Sequence, residues 1–201
     1  MSQRPRLLVP GGIYHVGSRG NRGCRIYTDD YERRVFLKLF GRLAKHHGWS
    51  LGTYVLMSNH YHLLMTIEKG LSDGMRELNG QFSSYTNKGN RLEGHLFRNR
   101  FWCELIKDEA HFLQTARYIV LNPLRAGLCR SPEDWRWSSY RAIVGEDFAP
   151  PFLETTELLE AFAETPSAAR EAYRRYVQEG VDELRRETRP GVRHRHGSGT
   201  R

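Results

Sequence analysis

Residues 51–67 decide how the middle of this chain folds, and they read Leu-Gly-Thr-Tyr-Val-Leu-Met-Ser-Asn-His-Tyr-His-Leu-Leu-Met-Thr-Ile. Two runs of aliphatic, aromatic and β-branched residues flank the turn residues Ser58 and Asn59. Runs of this composition form strands, and a two-residue connection joins them as an antiparallel hairpin. Because alternate side chains of a strand point to opposite faces, His60 and His62 lie side by side on one face of this hairpin.

The same reading, continued outward from the hairpin, predicts elements along most of the chain. In chain order they are strand 13–18, a helix between its cap Thr28 and Gly48, strands 51–57 and 60–67, a helix from Ser72 to Gly89, strand 101–106, and a helix from Asp108 that stops before Pro123. The order β-α-β-β-α-β-α, with antiparallel hairpins and crossover helices, predicts a ferredoxin-like α+β sandwich in which helices pack on an antiparallel sheet.

We expect one principal domain over residues 1–148, an extension of short helices over 149–188, and a tail over 189–201. The tail is basic and poor in apolar residues, so it is predicted to be disordered. The three cysteines are far apart, which argues against a disulfide scaffold and a cysteine-only zinc module. No apolar run approaches the roughly 18 residues that span a bilayer, and the N-terminus does not read as a signal peptide. We therefore expect a cytoplasmic protein without a membrane partner.

Positive charge is concentrated near the N-terminus. The chain carries a net charge of +8, and residues 1–48 contain 10 Lys and Arg against 3 Asp and Glu. A local basic surface suits a polyanion such as nucleic acid, although solubility alone also explains a basic protein. Arg19, Asn21 and Arg22 fall in a glycine-rich loop that can bring amides and guanidinium groups to phosphate, and a plain turn has the same composition.

Four residues form the candidate catalytic set. Two adjacent imidazoles such as His60 and His62 are a natural pair of metal ligands, although structural or surface histidines give the same pattern. On the third helix, Tyr118 and Asn122 are four residues apart and share a face. A tyrosine can act as a nucleophile toward phosphate, and an amide oxygen is a hard metal ligand. Taken alone, Tyr118 also fits a surface tyrosine of a helix.

Two other tyrosines compete for the role of nucleophile. Tyr85 follows Leu78 by seven residues, on the apolar stripe of the second helix, and Tyr140 belongs to an aromatic cluster with Trp135 and Trp137. Packing explains both better, because aromatic side chains bury a large area.

A segment after the second helix alternates basic and aromatic residues. Arg98 and Arg100 suit phosphate, and an exposed ring such as Phe97 can stack on an unpaired base. The opposite interpretation is equally consistent with the pattern: the rings of Phe97, Phe101 and Trp102 lie in the core and only the arginines face water.

The combination resembles the single-tyrosine HUH transposases, and most of all the REP-associated tyrosine transposases of bacteria. The matching stretches, in the family's order, are 12–16 with 19–21, 55–64, 94–101, 118–127 and 135–140. The resemblance implies that His60, His62 and Asn122 bind Mg²⁺ or Mn²⁺. It also implies that Tyr118 attacks DNA, which produces a 5′-phosphotyrosine and a free 3′-hydroxyl.

The resemblance further implies a metal-dependent single-strand DNA endonuclease and strand transferase whose partner is single-stranded or hairpin DNA of palindromic repeats. A homodimer is compatible with the sequence. Two alternatives stay open. One is a domesticated, non-catalytic repeat-DNA-binding protein, and the other is a zinc-dependent phosphodiesterase that combines His60 and His62 with His95 or Cys103.

Overall fold

A computed structural model describes residues 8–91 and 93–187. The elements in chain order are β1 (Gly12–Arg19), α1 (Asp30–His47), β2 (Ser50–Leu56), β3 (His60–Ile67), α2 (Leu71–Asn90), β4 (Trp102–Leu105), α3 (Glu109–Arg125), α4 (Tyr140–Ile143), α5 (Thr156–Glu160) and α6 (Pro166–Glu187). Short 3₁₀ turns occupy Asn21–Gly23 and Pro132–Asp134. The predicted order of strands and helices is confirmed, and the predicted tail over 189–201 lies outside the described residues.

The four strands form one antiparallel sheet in the order β2-β3-β1-β4. Helices α1 and α2 cover one face, where their apolar residues pack with Tyr61 and Leu63 of β3. Helix α3 covers the other face and packs with Val55 and Leu64. The predicted α+β sandwich is therefore confirmed, and β3 is a central strand that presents alternate side chains to two separate cores.

The helix boundaries differ from prediction where neighbouring polar residues compete for the cap. The cap of α1 is Asp29 instead of Thr28, because the Asp29 carboxylate accepts the backbone N–H of Glu32 at 2.8 Å. Helix α1 ends as predicted at Gly48, which adopts a left-handed φ of 70°. Helix α2 begins at Leu71 rather than Ser72, and it continues past Gly89 to Asn90.

Helix α3 passes through Pro123 and ends at Arg125, so the predicted stop is wrong. Pro123 cannot donate a backbone hydrogen bond, but its ring is buried. The helix end is closed by the Ala126 N–H, which donates to the Asn122 carbonyl at 3.0 Å, and by the Leu128 N–H, which donates to the Pro123 carbonyl at 2.9 Å. The extra turn keeps Asn122 inside the helix.

The C-terminal segment adds helix α6, whose 22 residues make it longer than the short helices predicted there. Apolar residues of α6, Tyr173 and Val177 among them, join the same core as the buried face of α3. The two helices approach closely at Gly180, where an added Cβ would lie 2.6 Å from Leu121 Cδ1. In the described part of the chain, no helix combines the length and apolarity needed to cross a membrane.

Candidate active site

Strand β3 presents the histidine pair to the face of the sheet that α3 covers. The rings of His60 and His62 lie with their centroids 5.1 Å apart. Tyr61 points to the opposite face, where its hydroxyl donates to Asn79 Oδ1 at 2.7 Å. This alternation is the one that the hairpin pattern predicts.

Helix α3 brings the other two candidate residues to the pair. Asn122 is buried, with its Oδ1 3.1 Å from His60 Nε2 and its Nδ2 3.5 Å from His62 Nε2. One turn earlier, the Tyr118 ring lies 5.6 Å from the His62 ring between centroids, and 39% of the residue is exposed. The Arg125 guanidinium lies 5.7 Å from the centroid of the same tyrosine ring. A solvent-accessible phenol, a cation and a buried group of nitrogen and oxygen donors thus share one site.

The hydrogen bonds of Asn59 determine which nitrogen of His60 carries the proton. The Asn59 amide nitrogen donates to the Gly23 carbonyl at 3.2 Å, so its oxygen faces His60 Nδ1 at 2.6 Å and accepts from it. The Nε2 of a neutral His60 then carries a lone pair, and it faces the Asn122 oxygen, which also carries lone pairs. Two acceptors at 3.1 Å have no proton between them. A bound cation between such atoms would satisfy both.

Burial keeps the imidazoles of the site neutral. Burial, together with the neighbouring His15 and His60, lowers the pKa of His62 to about 3. Burial also lowers the pKa of His60, an effect that is opposed by the hydrogen bond that the protonated ring donates to Asn122 Oδ1. At neutral pH both rings offer lone pairs, as metal ligation requires.

These atoms could hold a metal ion as His60 Nε2, His62 Nε2 and Asn122 Oδ1. Within residues 8–91 and 93–187, no three His, Cys, Asp or Glu side chains group in a way that could hold a metal ion, so a third protein donor beside the histidine pair would be the Asn122 amide. Cys103 packs against the core on the α1–α2 side, and His95 lies beside α2 on that side too. The structure therefore argues against the alternative zinc set with His95 or Cys103, because neither residue reaches the α3 face.

His15 is a member of the site that the sequence reasoning missed. This buried residue of β1 places its Nε2 3.0 Å from His62 Nδ1. If His62 donates this bond, its Nε2 is left with the lone pair that a metal needs. Burial, with His111 nearby, lowers the pKa of His15 to about 4, so it can accept as a neutral ring. The β1–β3 register is the information that identifies His15 as part of the site. It pairs Gly17 with His62, and so places His15 on the same face of the sheet as His62.

The two segments predicted to contact DNA lie next to each other. The Arg98 N–H donates to the Arg19 carbonyl at 2.9 Å, and the Asn21 N–H donates to the Leu96 carbonyl at 2.8 Å. The side chains of Arg19, Arg22, Arg98 and Arg100 are exposed. Arg19 also pairs with His60 in the β1–β3 ladder, so the basic surface of Arg19, Arg22 and Arg98 begins beside the histidine pair. Arg100 instead donates to Ser72 Oγ at 2.8 Å at the start of α2.

Of the aromatic residues Phe97, Tyr140 and Tyr85, two lie elsewhere than the sequence predicts. The base-stacking role expected of Phe97 is wrong, because its ring is buried against Tyr61 and Phe82. Tyr140 is buried, as the packing interpretation predicts. Tyr85 is 39% exposed, so its assignment to the core stripe is wrong, and it lies on α2 on the other side of the sheet from the histidine pair.

Comparison with known proteins finds relatives that are described as transposases. Residues 11–122 match the family described as "Transposase IS200 like". The chain is 24% identical to a REP-associated tyrosine transposase of Escherichia coli over 75% of this chain and 89% of that protein. It is also 24% identical to one described as putative from Haemophilus influenzae, over 75% and 92%. A solved structure of a REP-associated tyrosine transposase bound to a REP hairpin has a TM-score of 0.62 at 21% identity, covering 78% of this chain and 94% of that one.

Proposed function

The chain belongs to the IS200-like transposase family, and from that membership we propose that it is a metal-dependent single-strand DNA endonuclease and strand transferase. The observation that carries the proposal is the meeting of an exposed Tyr118 with the donor atoms of His60, His62 and Asn122. Structural residues need not gather around an accessible phenol, whereas attack on a phosphodiester requires a nucleophile beside a site that neutralises phosphate charge.

In the proposed reaction, the Tyr118 oxygen attacks the scissile phosphorus. A bond from phosphorus to the tyrosine oxygen forms, and the bond from phosphorus to the 3′ oxygen breaks. The phenol proton leaves to solvent and the departing 3′ oxygen takes up a proton, which gives a 5′-phosphotyrosine and a 3′-hydroxyl. Because one phosphodiester is exchanged for another and none is hydrolysed, a second 3′-hydroxyl can reverse the step and join strands.

The surrounding side chains hold the reactants. His60, His62 and Asn122 would bind the divalent cation, and imidazole ligands favour Mn²⁺ over Mg²⁺. When bound, the cation supplies a Lewis acid that polarises a phosphoryl oxygen. Helix α3 fixes Tyr118 and Asn122 on one rigid face, so the phenol is oriented toward that phosphate before reaction. The Arg125 guanidinium beside the tyrosine ring is placed to attract the DNA backbone.

The proposed substrate is single-stranded or hairpin DNA of palindromic repeats. A structural relative of the same fold is described as bound to a REP hairpin. The exposed arginines Arg19, Arg22 and Arg98 form a basic surface that begins beside His60 and suits a phosphate backbone.

The nucleophile is tested by comparing Tyr118→Phe with Tyr85→Phe. Both tyrosines are 39% exposed, so each change removes one hydroxyl from a similarly exposed ring and should alter stability by less than about 0.5 kcal/mol. The assay incubates each protein with Mn²⁺ and labelled hairpin oligonucleotides from the host's repeats that flank the gene. Wild type and Tyr85→Phe should form a denaturant-resistant protein–DNA adduct, and Tyr118→Phe should form none while still binding the hairpin.

Mass spectrometry of the digested adduct should place the nucleotide on the peptide that contains Tyr118. An adduct on Tyr85 or Tyr140, or cleavage by Tyr118→Phe at the wild-type rate, would show that the assigned nucleophile is wrong. Tight hairpin binding by the wild type without any adduct would instead favour a non-catalytic repeat-binding protein.

A further inference from the structure

Trp102 stands beside the histidine pair as an exposed aromatic ring. It begins the edge strand β4, and 38% of the residue remains in solvent. The indole lies 4.5 Å from the His15 ring and 5.6 Å from the His62 ring between centroids. Tyr118 lies at the same 5.6 Å from the His62 ring, so the exposed indole and the exposed phenol both border one imidazole.

The strand next to Trp102 is shaped to receive the indole. Gly17 pairs with both Trp102 and His62, so it occupies the position between them in the sheet. A Cβ at Gly17 would lie 2.6 Å from Trp102 Cζ2 and 2.7 Å from Trp102 Cε2, closer than atoms can approach. The missing side chain lets the indole lean across β1 toward the imidazoles. Any larger residue at position 17 would push it away from them.

The neighbouring residues indicate what this ring can bind. Phe97 and Phe101, the other rings of the same segment, are buried, so Trp102 is the ring of that segment left for a ligand. Glu104 is exposed and lies two residues further on the same face of β4, where its carboxylate disfavours a phosphate. A large apolar ring beside an anionic side chain suits the uncharged face of a nucleobase.

We propose that Trp102 is a stacking platform for an unpaired nucleobase of the nucleotides next to the scissile phosphate, a role that rests on the proposed function. Stacking of this base on Trp102 would anchor the single strand beside His62. The scissile phosphate of the same strand would then reach Tyr118, which also borders His62. Aromatic stacking tolerates any base, so the platform sets the position of the strand and not its sequence.

The test measures how base removal and ring removal combine. In a Tyr118→Phe background, which prevents cleavage, a labelled repeat hairpin with a single-stranded flank is titrated by fluorescence anisotropy. Each flank nucleotide is replaced in turn by an abasic one. With Trp102 present, one abasic position should weaken binding about 5- to 100-fold, and with Trp102→Ala the same abasic change should have almost no further effect. Trp102→Phe keeps a smaller ring over Gly17 and should preserve part of the abasic penalty.

Leu105→Ala is the matched control, because Leu105 is also 38% exposed on β4 but points to the opposite face from Trp102. It should keep the full abasic penalty. The inference is overturned if Trp102→Ala keeps that penalty at every position, or if it weakens intact and abasic probes equally. In either case, hairpin binding by the parent protein, which carries Tyr118→Phe alone, leaves the proposed function intact. If the parent protein binds none of the hairpins, both the proposed function and the platform are overturned.

Discussion

Replacing His15 by phenylalanine should weaken metal binding without disturbing the packing of the site. Phenylalanine retains a ring that can lie against Trp102 and Tyr118, as the imidazole does at 4.5 Å and 6.1 Å between centroids. It removes the Nε2 that lies 3.0 Å from His62 Nδ1. His62 then has no partner that fixes its ring and directs the Nε2 lone pair toward Asn122.

The expected size follows from two independent estimates. Loss of a partner that orients a histidine ligand typically weakens metal affinity about 10- to 100-fold. A buried polar group left without its hydrogen bond costs about 1–3 kcal/mol, and about 1.4 kcal/mol corresponds to a factor of ten. Since only 7% of His62 is exposed, water cannot fully replace the lost hydrogen-bond partner. We therefore expect the Mn²⁺ dissociation constant of His15→Phe to rise by about one to two orders of magnitude.

The assay is a Mn²⁺ titration in which the electron paramagnetic resonance signal reports free metal, with no DNA present. His46→Phe is the control, because it removes an exposed imidazole at the end of α1, away from the β3–α3 site. Its affinity should equal that of the wild type, and both variants should keep the wild-type circular dichroism spectrum. An affinity of His15→Phe within twofold of the wild type would refute the claim that His15 orients His62.

Two further predictions concern the metal and the basic surface. His60→Ala should abolish both Mn²⁺ binding and cleavage while hairpin binding persists, and excess chelator should have the same effect on the wild type; complete cleavage in chelator would exclude a metal mechanism. Changing Arg19 and Arg22 together to alanine should weaken binding to all sequences and reduce the slope of log affinity against log salt by about 0.7 to 0.9 for each lost phosphate contact. An unchanged slope would mean that this loop is only a turn.

Local periodicity was sufficient to predict which site residues share a face within a single strand or a single helix. The alternation of β3 sets His60 and His62 on one face, and the helical repeat sets Tyr118 and Asn122 on another. That these two faces meet is a property of the whole sheet, because α3 must pack on the side of β3 opposite Tyr61. The sequence pattern alone does not specify this contact, and the family resemblance supplied it.

The failures have local physical causes. Asp29 outcompetes Thr28 because its carboxylate reaches the N–H of the third helical residue. The preference against helical backbone before proline is overridden at Asn122, where the buried ring of Pro123 and the closing hydrogen bonds favour another turn. In each case, burial or a specific hydrogen bond outweighs the local preference that the sequence pattern expresses.

The segment after α2 shows why its rings could not be assigned from the sequence. Its alternation indicates that some rings face the core and others face outward, but it does not indicate which. Pairing with β1 decides this, because Trp102 lies opposite Gly17 on the α3 side while Phe97 packs toward α2. Phe97, which was expected to be free for stacking, is therefore buried, and Trp102, whose position the sequence left open, is exposed.

The register of β1 is consequently the feature that brings His15 and Trp102 to the histidine pair. His62, Gly17 and Trp102 form one row across three strands, and His15 lies two residues before Gly17 on the same face of β1. Because the side chains of a strand alternate, a slip of one residue would turn both His15 and the glycine gap to the other face. Val16 would then stand between His62 and Trp102, and it would remove at once the partner of His62 and the space that the indole occupies. A single pairing thus sets both the orientation of a proposed metal ligand and the position of the proposed base platform.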